Sequence, residues 1–366
     1  MAGPWRRIRA LVELGRVLRG DPVEDPANWS VIVELARELN VAPGLWRALQ
    51  ESPAIVAPAE VREALRREHA HNALRNLQLR GTLLEAVAAL NAAGIVPLLL
   101  KGGLQLVDGS LVSVGDRWMI DLDLVVPSAA VPRALEAMAS IGYRPYPEKP
   151  FMHPHEVPLF RRWADPFIEL HTELGSAPIP GLLPVQDVWE RSRELQLEGG
   201  LHAAGMAATD QILHSVLHAG IQDRNHRVGG LPLRHLLTLS RLQRHHGLDI
   251  DWSRVQALMD EAGLGTVLWD HLWLAHRFAG LDAPAFIEDT FRRRLHELRV
   301  CLGLGLGWPP ELQRNLEFAL GREYLDSLYA HGDRAAALAA SRVRHLVRVA
   351  RRDRRRALGK VVQRKL

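Results

Sequence analysis

Sulfur chemistry is almost absent from this chain. Its 366 residues include one cysteine, Cys301, which excludes a disulfide framework and any cysteine-rich zinc site and fits a reducing compartment. Long apolar runs are missing too. The most apolar stretch, Ala86 to Leu100, is interrupted by Asn91, Gly94 and Pro97, and it falls short of the roughly 20 residues that a membrane-spanning helix needs. The first twenty residues carry charge throughout and offer no apolar h-region, so no secretory signal is expected. No internal repeat or low-complexity linker is present, and no H-E-x-x-H segment accompanies the 17 histidines. These absences predict a cytoplasmic protein without a transmembrane segment.

What is there suffices for real cores. With 47% hydrophobic and 24% charged residues, a disordered or collagen-like chain is excluded, and the length suggests two or three domains. The net charge of +4 hides an asymmetry. Residues 341–366 hold eleven Lys and Arg against one acid, Asp353, which leaves the preceding chain acidic at −6. Within that tail, Val343, Leu346, Val347 and Ala350 recur at helical spacing. A basic amphipathic helix of this kind contacts RNA, an anionic membrane surface or the acidic body, or stays solvated.

The periodicities give a coarse architecture. Residues 31–50 and 57–93 read as helices, with Val61, Leu65, Ala73, Leu77 and Leu84 as the apolar face of the second. IVPLLL, between Gly94 and Lys101-Gly102-Gly103, reads as a buried strand. MIDLDLVVP alternates Asp121 and Asp123 with Ile120, Leu122 and Leu124, the strongest strand signal in the chain. A packing helix over 129–141 and two strands, HEVPLF and PFIELHTEL, follow. From about residue 185 the pattern turns helical, including 206–246, Trp252 to Ala262, Val267 to Phe278, Ala283 to Cys301 and Glu311 to Leu328. The expected class is α+β. A small mixed-sheet core over 76–183 is flanked by a helical segment over 1–75, a helical domain over 184–340 and the basic tail.

Chemistry concentrates on the acidic strand. Two aspartates two residues apart project from one face, their Cβ atoms about 6–7 Å apart. Like charges so close raise each other's pKa unless a counter-ion intervenes. A hard divalent cation suits them, and Mg2+ takes only one or two protein carboxylates, completing its shell with water and phosphate oxygens. The bland alternative is an edge strand with both aspartates in solvent. The preceding Gly102-Gly103 turn, feeding a helix, leaves backbone N–H groups for an anion. Glu169 alternates with Ile168 and Leu170, on the side of His171 and Glu173. A third acid there would serve as metal ligand, or as base on an acceptor hydroxyl.

LLLKGG (98–103), RWMIDLDLVV (117–126) and IELHTEL (168–174), in that order, resemble the DNA polymerase beta-like nucleotidyltransferase superfamily. Within it the chain is most similar to a bacterial family of uncharacterised nucleotidyltransferases. The shared features are Lys-Gly after the first strand, an Arg shortly before Asp-hydrophobic-Asp, and a hydrophobic-acid-Leu-His segment. LRHLLTLSRL (233–242) and IDWSRVQALMDEAGL (250–264) look like that family's helical C-terminal region, although the family tends to have Asp where Thr238 stands. The resemblance implies transfer of a nucleotidyl group from an NTP to an unidentified small-molecule, peptide or protein acceptor. Asp121, Asp123 and Glu169 would bind two Mg2+ ions, or Mn2+, and Gly102 and Gly103 would hold the triphosphate. Two alternatives stay open: phosphoryl or glycosyl transfer in natural-product biosynthesis on the same scaffold, and a non-catalytic nucleotide- or partner-binding protein.

Accessory residues have two readings each. Lys101 contacts phosphate or neutralises the aspartates, or else points to solvent. Arg117 binds the β/γ-phosphates or forms a salt bridge to Asp116 or a neighbour. His171 orients the metal shell or the acceptor, or is a hydrogen-bonded core histidine. Trp118 stacks on a base or packs. His214 and His218 stand one helical turn apart, with His226 and His235 nearby, where a transition-metal site competes with ordinary packing.

Overall fold

The computed structural model describes residues 3–23, 28–146, 156–162 and 165–306. The expected helix Glu311 to Leu328 and the basic tail lie outside the described residues. Four helices lead in: α1 (Pro4–Arg19), α2 (Trp29–Glu38), α3 (Ala42–Glu51) and the long α4 (Ala59–Ala92). Then come β1 (Leu98–Leu99), α5 (Lys101–Gln105), β2 (Asp121–Val125), α6 (Val131–Ser140), β3 (Arg144–Pro145), β4 (Glu156–Phe160) and β5 (Phe167–His171). The chain continues through α7 (Ile179–Leu182), α8 (Val185–Glu190), β6 (Arg193–Leu197) and β7 (Leu201–Gly205). The last described elements are α9 (Ala208–Leu217), α10 (Asn225–Val228), α11 (Leu233–His246), α12 (Trp252–Glu261), α13 (Gly265–Ala279) and α14 (Phe291–Gly305).

The fold is α+β. Seven strands form one sheet in the order β3-β4-β5-β2-β1-β7-β6. It is mixed: β2 runs parallel to β5 and β1 parallel to β7, whereas β1–β2, β3–β4, β4–β5 and β6–β7 are antiparallel. Leu122, Leu124 and Val125 on β2 are buried, as are Leu98 and Leu99 on β1. This is what an apolar strand covered by other elements requires. On the helical side, α1 packs against α13 and α14, and α11 against α9 and α13. None of the described helices is long and apolar enough to cross a membrane. Cys301 is buried in α14, where burial pushes its thiol up to about 12, an environment that disfavours the reactive thiolate.

Three local expectations are corrected. The helical pattern expected from residue 185 is broken by the β6–β7 hairpin. Glu194-Leu195-Gln196-Leu197 alternates with period two, and Gly199 and Gly200 adopt φ of 75° and 74°, a turn open to glycine. Helix α14 starts at Phe291 rather than Ala283, with Thr290 as a cap whose hydroxyl accepts from the Arg293 N–H. On α4 the buried face coincides with the expected one only at its start, through Val61 and Leu65. Leu77 is 53% exposed, whereas Leu65, Asn72, Asn76, Leu79, Leu83, Ala86 and Leu90 face inward. Two asparagines occupy this face because carbonyl partners satisfy them.

Candidate active site

The sheet register assembles the acids. Asp123 on β2 pairs with Glu169 on the parallel neighbour β5, and Val125 pairs with His171. Alternation puts Asp121 on the face of Asp123, and His171 on that of Glu169. Asp123, Glu169 and His171 each offer one ligand atom within 4.8 Å of the other two. Asp121 lies outside that trio, two residues nearer the start of β2 and partly exposed. Ile120 is 52% exposed, so the strand interior begins only at the aspartates.

Lys101 answers the charge on Asp123. Its Nζ donates to Oδ1 at 2.8 Å, and Nε2 of His171 lies 3.1 Å from the same oxygen. Burial alone would raise the Asp123 pKa, but Lys101 and His171 hold it well below the usual carboxylate range. Burial alone would lower Lys101, and the facing carboxylates, Asp123 first, raise it instead. Asp121 goes the other way. Burial and then the charges of Asp123 and Glu169 raise it. To reach Asp123, Lys101 adopts φ +47°, a left-handed conformation that costs a non-glycine residue about 1–3 kcal/mol and clusters at functional sites.

The Gly-Gly turn has a second duty. A Cβ on Gly102 would stand 2.9 Å from Sδ of Met119 and 3.5 Å from Nε of Arg117. Glycine is thus what lets the segment before β2 close over the start of α5. That segment is tied down from α4. Nδ2 of Asn72 donates to the carbonyls of Gly115 and Arg117, both at 2.8 Å. Nδ2 of Asn76 donates to those of Val114 and Arg117 at 2.6 and 2.7 Å. Asp116 accepts from the Ser113 N–H at 2.9 Å and lies 3.0 Å from His69. Replacing Asn76 with Ala is expected to cost about 1 kcal/mol, because the part-buried Val114 carbonyl is left unpaired. A urea-unfolding midpoint equal to wild type would contradict this tether.

Arg117 is the buried cation of the site. It is 5% exposed, its Nη1 donates to Oγ1 of Thr238, and its Nε has no hydrogen-bond partner. Burial, then the charges of Arg234 and Arg241, bring its guanidinium down to about 9. The expected alternative of a salt bridge to Asp116 is not formed: that carboxylate turns to His69 and the Ser113 amide. A buried guanidinium flanked by cations and partnered by a hydroxyl has unspent capacity for an anion. Arg117 lines a cleft of about 410 Å³, measured out to its open mouth, together with Lys101, Gln105, His214, Ser215 and Thr238. Oε1 of Gln105 and Oγ of Ser215 are also buried there without partners.

The model of the uncharacterised nucleotidyltransferase family matches residues 25–280. The chain belongs to this family. No curated protein matches it. Among solved structures, the solution structure of the antibiotic-resistance factor ANT(2'')-Ia is similar over 52% of this chain and 94% of that one, at 12% identity and a TM-score of 0.36.

The nucleotidyltransferase thus gathers most of its expected residues in one region. Asp123, Glu169, His171 and Lys101 meet directly, and Arg117 reaches the adjoining cleft. Trp118 does not line that cleft. Arg75 and Arg234 lie 5.9 and 5.6 Å from its ring centroid, so its ring is engaged in cation–π contacts. Asn72, Asn76 and Thr238 support Arg117 without having been singled out for that purpose. The spacing of two asparagines four residues apart in an apolar helix was the available signal.

The donor set suits a divalent cation. Asp121, Asp123 and Glu169 bring three carboxylates to one face, with Lys101 as a single ammonium among them, a donor set of oxygens such as a hard dication takes. Carboxylate oxygens favour Mg2+ or Mn2+.

Proposed function

We propose that this nucleotidyltransferase moves a nucleotidyl group from an NTP to an acceptor hydroxyl or comparable nucleophile, releasing pyrophosphate, in the cytoplasm. The observation that carries this reading is the juxtaposition of a carboxylate cluster, in which Lys101 answers one of the charges, with a buried guanidinium whose Nε has no hydrogen-bond partner. One demands a cation and the other an anion, and a metal–triphosphate brings both. Asp121, Asp123 and Glu169 would hold Mg2+, or Mn2+ in its place. When bound, such ions neutralise phosphate charge and orient the oxygens of an in-line displacement. Lys101 keeps Asp123 ionised, and His171 fixes the orientation of that carboxylate. Arg117, Gly102 and Gly103 bind the phosphate oxygens, with Arg117 offsetting charge that develops on the leaving pyrophosphate. Glu169 receives the acceptor proton as the new bond to the α-phosphorus forms and the α–β bridge breaks.

The test is product mass. Purified protein is incubated with Mg2+, each labelled NTP in turn, and an extract of the source cells. A labelled product heavier than its precursor by one nucleotidyl group is expected, with pyrophosphate released in equal amount. A phosphate or hexose increment, or no adduct with any NTP, would sink the proposal.

A further inference from the structure

Helix α9 does not end as an α-helix. Residues His218–Gln222 form a π turn directly after it, and the Asp223 N–H donates to the His218 carbonyl at 2.8 Å, five residues back. On an α-helix, residues five apart stand about 140° apart around the axis. The wider turn instead brings Asp223 beside His218, and such turns recur at functional sites. Oδ2 of Asp223 lies 3.5 Å from Nδ1 of His218. From the first turn of α11, Nε2 of His235 lies 4.0 Å from the same oxygen. The two imidazole rings stack, with centroids 5.9 Å apart and planes 17° from parallel. One ligand atom from each residue lies within 4.8 Å of the other two.

Two imidazoles and one carboxylate make a zinc ligand set. Zn–N and Zn–O bonds near 2.0–2.2 Å at tetrahedral angles set ligand–ligand edges of about 3.3–3.5 Å. The shorter measured edge already has that length, and the longer needs closure by about half an ångström. A second observation points the same way. Nδ1 of His218 is buried with no hydrogen-bond partner, a state that costs folding free energy unless something binds it. Against this, Nη2 of Arg234 stands 3.5 Å from Nε2 of His235. That guanidinium has alternative partners in the Trp118 carbonyl at 3.5 Å and the Trp118 ring.

We infer that His218, Asp223 and His235 form a site for a borderline transition cation, Zn2+, distinct from the carboxylate cluster. The inference does not depend on the proposed reaction. Two imidazoles with one carboxylate suit zinc, whereas a site richer in carboxylates, with His171 as its one imidazole, suits Mg2+ better, so the two differ in preference. His218 and His235 line the same cleft as Arg117, and three protein ligands leave a fourth position for water or a bound molecule.

Cobalt is the probe. The purified full chain is titrated with Co2+ in excess Mg2+, which occupies oxygen sites, and then with Zn2+. Co2+ binding with visible d–d absorption is expected, displaced by Zn2+ and not by further Mg2+. His218→Ala, His235→Gln and Asp223→Asn should each weaken Co2+ binding at least about tenfold, while Asp121→Asn leaves it unchanged. Circular dichroism identifies any variant that fails to fold, and the remaining two then decide. Absence of Co2+ absorption in the wild type, or binding retained in two folded variants of the three, overturns the site.

Discussion

Asp121→Asn is expected to abolish nucleotidyl transfer and, at the same time, to make the protein more stable. Burial, then repulsion from the neighbouring carboxylates Asp123 and Glu169, disfavours the charge of Asp121 and raises its pKa. An amide of the same shape removes that repulsion, worth about 0.5–2 kcal/mol, a size common for the release of a functional strain. Transfer should fall by at least about a hundredfold, the usual cost of losing one electrostatic group at the reacting phosphate. Asp123→Asn should have the opposite effect on stability. It strands the Lys101 ammonium, whose partner at 2.8 Å is nearly fully buried, and breaking one side of a buried pair costs about 3–5 kcal/mol. Urea unfolding and the adduct assay, run on both variants, test the pair. Equal and same-sign stability changes would contradict the electrostatic account, and retained transfer in Asp121→Asn would remove that residue from the chemistry.

Acidification from pH 7.5 to 5.5 is expected to destabilise the fold well before carboxylates titrate. His214 and His271 are buried, and burial, helped by neighbouring positive or titratable groups, lowers both to about 3. For His214 the neighbours are His218 and Lys101; for His271 they are His226 and His296. In the unfolded chain each returns to about 6.5. Between pH 6.5 and 3 the unfolded state therefore binds protons that the folded state refuses, so stability rises with pH in that window and is lost as pH falls. Each histidine contributes about 1.4 kcal/mol of loss by pH 5.5. Burial also lowers His235, with the charge of Arg234 next, in the same direction. Urea midpoints at pH 7.5, 6.5 and 5.5 measure the slope. His214→Gln, which keeps a donor toward the Leu174 carbonyl that Nε2 reaches at 3.0 Å, should flatten it by about one histidine's share. A pH-independent midpoint would show that these rings take up protons in the folded state as readily as in the unfolded chain.

These expectations divide unevenly between what sequence and structure each reveal. The acidic strand, the Gly-Gly turn and Glu169 were legible because each is a local pattern: alternation with period two, a turn signal, and a second alternating strand. The mixed sheet and flanking helices followed from the same periodicities. The hairpin at 193–205 was not read, since its alternation sits among residues of good helix propensity and its two glycines carry the only turn signal. The buried face of α4 was misread for a different reason. Asn72 and Asn76 look polar in isolation, and only backbone carbonyls more than thirty residues away make them core residues.

By itself the sequence determined that two aspartates share a strand face, that glycines precede them, and that one cysteine supports neither a disulfide framework nor a cysteine-rich zinc site. Only the tertiary structure decided which charges meet. Lys101 reaches Asp123 across 22 residues, His171 reaches it across 48, and Thr238 receives Arg117 across 121. Strand periodicity is settled by neighbours two residues away. The partner of a buried charge is settled by whichever distant element closes over it, because a desolvated charge must find its counter-charge wherever the fold provides one.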